Sequence, residues 1–79
     1  MNSMRLGDLE PQQTCRVVRI DTTGSMRRRF RDIGLIEDTL VECVGKSPGG
    51  DPKAFLIRGA VIAIRKEDCR EIYVTLSEG

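Results

Sequence analysis

The stretch from Asp21 to Leu35, DTTGSMRRRFRDIGL, carries the one apolar pattern with a helical period. At about 100° per residue, Met26, Phe30 and Ile33 fall on one narrow face. Arg27, Arg28 and Arg31 fall away from it, and Arg29 sits at its edge. The spacing predicts a helix near residues 25–33, with Ser25 as N-cap and Gly24 just ahead of it. Gly34 is the stop, because glycine takes the left-handed C′ conformation without a Cβ penalty. That choice makes Leu35 the C″ residue and Phe30 C3, the apolar pair of a Schellman ending. So short a helix must dock its apolar face on something else, and Phe30 is expected to be buried with Met26, Ile33 and Leu35.

Elsewhere the period is close to 2. Leu6 and Leu9 fit one helical turn that Pro11 ends. Five strands are predicted, at 14–20, 40–45, 53–58, 61–65 and 71–76. In the first, Val18 and Ile20 share a face and Val17 lies opposite, so it is either covered on both sides or bulged. Val41 and Cys43 share a face of the second, Phe55 and Ile57 point inward from the third, and Ile72, Val74 and Leu76 alternate along the fifth. Residues 36–39 read as a tight turn, 46–52 (KSPGGDP) as a loop, Gly59-Ala60 as a turn and 66–69 as one helical turn, while 77–79 are expected to fray. The fold class that follows is mainly β: one domain over residues 1–79, with an ordered core over about 5–76. It is a small antiparallel barrel of about five strands, whose inserted helix plugs one open end.

Composition narrows the function. The chain has 79 residues, 39% hydrophobic and 32% charged, which suits a small globular core and not a disordered one. A net charge of +1 argues against a generic polyanion binder. Arginine gathers in residues 1–35 and acids outnumber bases in 36–79, so a basic and a mildly acidic end are expected. Neither a membrane-length apolar run nor a signal-peptide core is present, which makes cytoplasm the default. Cys15, Cys43 and Cys69 are odd in number and widely spaced, a pattern of buried, reduced thiols.

The candidate chemistry is sparse. Arg27, Arg28, Arg29 and Arg31 could meet phosphates, pair with carboxylates on a protein or act as an arginine finger; the plain alternative is a solvated face with Arg28 beside Asp32. Pro48, Gly49, Gly50, Asp51 and Pro52 form a hairpin loop or a docking tip, and the order of glycines is wrong for a P-loop. With no histidine, and with Cys15 and Cys43 lacking a third ligand, no metal site or cofactor is expected. No nucleophile has a base to activate it, so no enzyme activity is expected.

Four ordered stretches resemble the FeoA family. Leu6-Gly7-Asp8-Leu9 resembles its opening Leu-x-x-Leu, and Arg29–Leu35 resembles its Arg-Leu-x-x-hydrophobic-Gly-hydrophobic helix end. Pro48–Pro52 resembles its Pro-x-Gly-Asp-Pro loop. Gly59, Ile62–Arg65 and Ile72-x-Val74 resemble its closing strands. The chain departs from the pattern at Pro11-Gln12 and Glu37-Asp38, where the family carries glycine, at Phe30, where it carries leucine, and at Cys69, where it prefers alanine. Aspartate tolerates left-handed geometry, so the turn before the second strand can survive.

The resemblance implies an SH3-like barrel, of the free-standing kind and not the kind appended to iron-dependent repressors. It also implies a cytoplasmic accessory role in ferrous-iron uptake. The implied partner is the GTP-binding cytoplasmic part of a FeoB-like transporter, met without carrying iron. Partner-binding residues are then Arg27, Arg28 and Arg31 with Pro48–Pro52. The competing class is a nucleic-acid-binding small barrel using the Arg-rich helix; balanced charge and buried aromatics weigh against it. A peptide-binding SH3 module needs an aromatic groove that Tyr73 alone cannot make.

Overall fold

A computed structural model describes residues 4–77. Six strands form one antiparallel sheet: β1 (Met4–Arg5), β2 (Thr14–Ile20), β3 (Leu40–Lys46), β4 (Lys53–Ile57), β5 (Ala60–Ile64) and β6 (Ile72–Ser77). Helix α1 (Gly24–Asp32) lies between β2 and β3, and the one-turn helix α2 (Lys66–Cys69) between β5 and β6. The order across the sheet is β1-β6-β2-β3-β4-β5. The strand that sequence reading missed is β1, two residues long, with Met4 opposite Val74 and Arg5 opposite Tyr73. Two residues are too few to show a period. A 3-10 turn over Leu6–Asp8 follows, and Leu6 and Leu9 are both fully buried.

The irregular pattern of β2 is a bulge. Its register against β6 shifts between Val17 and Arg19, so Val18 is the extra residue and is 54% exposed. Val17 and Ile20 therefore both face the core despite their odd spacing. A second shift, between Cys43 and Gly45, bends β3 against β4. Leu76, expected inward, is exposed: the inward run of β6 ends at Val74. Ser77, expected to fray, closes β6 opposite Thr14, while residues 78 and 79 lie outside the described part.

The hairpin from β4 to β5 turns on Arg58-Gly59, one residue earlier than expected. Their φ values, 49° and 85°, make the double left-handed turn that suits a two-residue loop. Arg58 is held there by an Nε–H donated to the Gly34 carbonyl, 3.3 Å. Asp38 takes the left-handed conformation (φ 73°) in the 36–39 turn, and Gln12 does so after Pro11 (φ 79°).

Helix α1 ends as its sequence predicts. Gly34 has φ 88°, its N–H donates to the Arg31 carbonyl (3.0 Å), and the Leu35 N–H donates to Phe30 (2.8 Å). These are the two bonds of the Schellman motif. The start differs. Thr23, not Ser25, is the N-cap, in extended backbone and without a side-chain capping bond. Gly24 at φ 71° turns the chain straight into the first helical turn, so Ser25 is already inside.

One core cluster runs through the molecule, from Leu6 and Leu9 through Cys15, Val17, Phe30, Leu35, Phe55 and Ile57 to Ile72 and Val74. Met26 and Ile33 pack against it from α1. The sheet stays open between β1 and β5. A side chain spans the gap: Lys53 Nζ, at the start of β4, donates to the carbonyls of Gly7 and Leu9, both at 2.7 Å.

Candidate functional site

The arginine run splits by contact. Arg27 does not point away from the domain. Its guanidinium crosses the helix start to donate to the Ile20 carbonyl (2.6 Å) and approaches Glu37 at 3.4 Å. It ties α1 to the end of β2 and to the 36–39 turn, a structural task. Arg28 and Arg31 are exposed, and neither has an ion pair or side-chain hydrogen bond among the described residues. The expected Arg28–Asp32 pair is not among those ion pairs. Arg29, also exposed, borders a cleft of about 220 Å³ between α1 and β5, with Met26, Phe30, Ile33, Ile62 and Arg65 among its walls.

The 47–52 loop joins β3 to β4. Gly50 N–H donates to the Ser47 carbonyl (2.7 Å) and Ser47 N–H to Pro52 (3.1 Å). The Asp51–Pro52 peptide is cis. Only part of this loop projects into solvent as expected. Pro48, Gly49 and Asp51 are exposed and Gly50 and Pro52 half-buried, and Asp51 Oδ1 accepts from the Lys66 N–H at 2.8 Å, which holds the loop against α2. A cleft of about 400 Å³ lies beside it, lined by Gly7, Gly49, Asp51, Lys53, Lys66 and Cys69. Ile64 borders both this cleft and the one beside α1, so the two candidate regions flank the end of β5. No hydrogen bond or ion pair among the described residues joins them.

Sequence reading missed two sets of residues. Lys53 reads only as the first residue of the third strand, with no role of its own, yet its side chain fastens the 3-10 turn. Tyr73 stands between β1 and β2 with the Arg5 and Arg19 guanidinium carbons 4.8 and 4.4 Å from its ring centre. Arg19 in turn pairs with Asp21 at 3.0 Å. The only available signal was a lone tyrosine on a strand whose partners carry arginine, and the pairing of those strands is not readable locally.

All three cysteines are buried and unpaired by disulfides. Burial, and then the nearby Cys43, pushes the Cys15 thiol up to about 12; burial pushes Cys69 up to about 12, against an opposing pull from Lys53. The unfolded thiols titrate near 9.0, so the folded chain holds these protons longer than the unfolded one. The stability this confers is complete below pH 9 and is lost as pH rises toward 12. Urea midpoints are expected to fall over that window, and a Cys15→Ala, Cys69→Ala variant should show a flatter decline. Among the described residues no three His, Cys, Asp or Glu side chains converge as a metal site would require.

The FeoA domain model matches residues 4–76. The chain belongs to the FeoA domain family. It is 29% identical over 73 residues to the Fe(2+) transport protein A/Fe(2+) transporter FeoB fusion protein of Porphyromonas gingivalis strain W83; the match takes in 92% of this chain and 9% of the fusion protein. The solution structure of a FeoA-like protein from Clostridium acetobutylicum is 28% identical with a TM-score of 0.86, covering 100% of this chain and 92% of that one. Stenotrophomonas maltophilia FeoA, solved in complex with zinc and described as a prokaryotic SH3-domain protein, is 25% identical with a TM-score of 0.76, over 91% of this chain and 89% of that one. The SH3-like expectation holds, with six strands in place of five. No helix among the described residues is long and apolar enough to cross a membrane.

Proposed function

We propose that this chain is a cytoplasmic accessory protein for ferrous-iron uptake that works by binding the GTP-binding part of a FeoB-type transporter. The observation that carries this reading is the Porphyromonas gingivalis relative, in which an Fe(2+) transport protein A segment and FeoB share one polypeptide. A module fused to its partner in one chain is held at high effective concentration; the same module on a separate chain must dock through its own surface. Arg28 and Arg31 supply such a surface here, since each carries a planar, permanently charged fork suited to carboxylates and has no partner within the described residues. Pro48 and Gly49 give a second exposed point, with Gly50, Asp51 and Pro52 holding the loop in place. Arg27 supports the site by fixing the helix. Binding, not catalysis, is the proposed mode of action.

The nucleic-acid alternative is disfavoured by the aromatics. Phe30 and Phe55 are buried, and Tyr73 is stacked against Arg5 and Arg19, which leaves no free ring for base stacking.

Reversing Arg28 and Arg31 to glutamate together tests the docking face, with Arg27 left intact. Both side chains are free of the fold, so cooperative melting is expected to survive. Capture of the transporter's soluble domain should weaken by at least about tenfold, and ferrous-iron uptake should fall with it. Normal capture by the double variant would move the interface to the Pro48–Pro52 loop. Unaltered uptake in cells lacking the protein would remove the transporter reading altogether.

A further inference from the structure

We propose that the free edge of β5 is a strand-addition site, which takes an extended partner segment of alternating apolar and acidic residues. The sheet ends at β5. The strand is AVIAI, without charge or proline, and it pairs with β4 with no shift of register. Natural edges are usually guarded by charge, proline, a bulge or shortness. At the opposite end of the sheet, β1 is guarded by being two residues long. No such guard protects β5.

Its unmet hydrogen-bonding groups follow from the hairpin. A two-residue loop closes on a pair that exchanges both backbone bonds, here Ile57 and Ala60. Alternation then makes Phe55–Ile62 and Lys53–Ile64 the other fully bonded pairs. Val61 and Ala63 must direct their N–H and C=O groups outward, away from β4. Both residues are exposed, and no other described element bonds to either.

The surroundings define the occupant. On one side of the edge lies a cleft of about 220 Å³ of mixed lining, with Met26, Phe30, Ile33 and Ile62 as its apolar walls and Arg29 and Arg65 set against the single carboxylate of Asp68. An added strand sends alternate side chains to opposite faces, so every second one can enter this cleft and must be apolar. Carboxylates between them meet the surplus arginine charge. A second copy of this chain is a poor occupant. Two-fold antiparallel pairing about Ile62 brings Lys66 of each copy opposite Arg58 of the other with Arg65 alongside, so like charges gather at both ends of such a seam. This inference rests on the docking reading above only for who the partner is; the chemistry of the edge stands apart from it.

The test uses the whole chain, isotopically labelled, titrated with a blocked octapeptide of four Val-Glu repeats as probe. Saturable shifts and slowed exchange are expected at the amides of Val61 and Ala63, and a Val-Lys octapeptide should not reproduce them. Ala63→Pro removes an outward N–H that the β4 ladder does not use, and should weaken the probe about fivefold or more. Arg65→Glu should weaken it similarly, and serves with the exchange measurement if the proline variant does not fold. Absence of saturable binding, shifts centred away from β5, or unchanged affinity in both variants overturns the proposal. So does concentration-dependent dimerisation that Ala63→Pro abolishes, which would give the edge to a second copy. Probe binding without capture of the transporter domain rejects the transporter reading and keeps the edge. Capture that neither Ala63→Pro nor excess probe alters keeps the transporter and rejects the edge as the place where it docks.

Discussion

Replacing Phe30 by alanine is expected to cost about 3–5 kcal/mol, the usual range for removing a buried aromatic side chain. Phe30 is 3% exposed and is the one buried side chain of α1. It joins the helix to the common core, with Met26 and Ile33 only partly buried beside it. Its carbonyl also accepts the Leu35 N–H that ends the helix, a bond alanine would keep. The loss is therefore one of packing and not of helix termination. For a domain of this size, 1 kcal/mol moves the melting midpoint by about 4–8 °C, so a fall of more than ten degrees is expected. Phe30→Leu, which keeps most of the volume, should cost less than about 1.5 kcal/mol. Urea denaturation of the two variants measures the difference. An alanine variant melting within a few degrees of the parent would mean that α1 is not anchored by this ring.

Lys53→Met should produce the second large effect, about 2–4 kcal/mol, because bonds from a charged donor contribute more than neutral ones and the two carbonyls lose their partner together. Methionine keeps the apolar stem and removes only the ammonium. The Lys53 side chain is 14% exposed and its Nζ holds the carbonyls of Gly7 and Leu9. Glu10 stands 3.8 Å away and is well exposed, so it adds little. The expected damage is local: Leu6 and Leu9, fully buried, lose the clamp on the backbone that carries them. Amide exchange should quicken first in residues 4–9. Lys46→Met is the control. Lys46 also lies 3.8 Å from Glu10 but is exposed and donates to no carbonyl among the described residues, so its loss should stay within about 0.5 kcal/mol.

The parts of the fold legible in the sequence are those governed by neighbours along the chain. Gly34, Leu35 and Phe30 obey a rule spanning six residues, and both Schellman bonds form. Runs of β-branched residues mark the strands for the same reason. The bulge in β2 was one of two open readings, because the choice depends on how Val17 and Arg19 meet β6, more than fifty residues away. Helical projection places the Arg27 Cβ correctly but says nothing of where a long side chain ends, and this one ends on Ile20. Lys53 is the same case: its partners, Gly7 and Leu9, become neighbours only when the sheet curls. The candidate docking residues are legible as types, exposed arginines and a proline-glycine loop. Their division into Arg28 and Arg31 on one side and a tethered loop on the other needed the three-dimensional arrangement.

Tyr73 gives the molecule its own optical reporter. It is the sole tyrosine, and there is no tryptophan to mask it. The ring sits on β6 between β1 and β2, with a guanidinium from each flanking strand against it. Withdrawal of Arg5 changes the charge beside the phenol, so ultraviolet absorption and emission from this residue register the peeling of β1. Circular dichroism, averaged over the whole backbone, scarcely notices a two-residue strand. Comparing the two signals during denaturation therefore separates the opening of one end of the sheet from collapse of the whole.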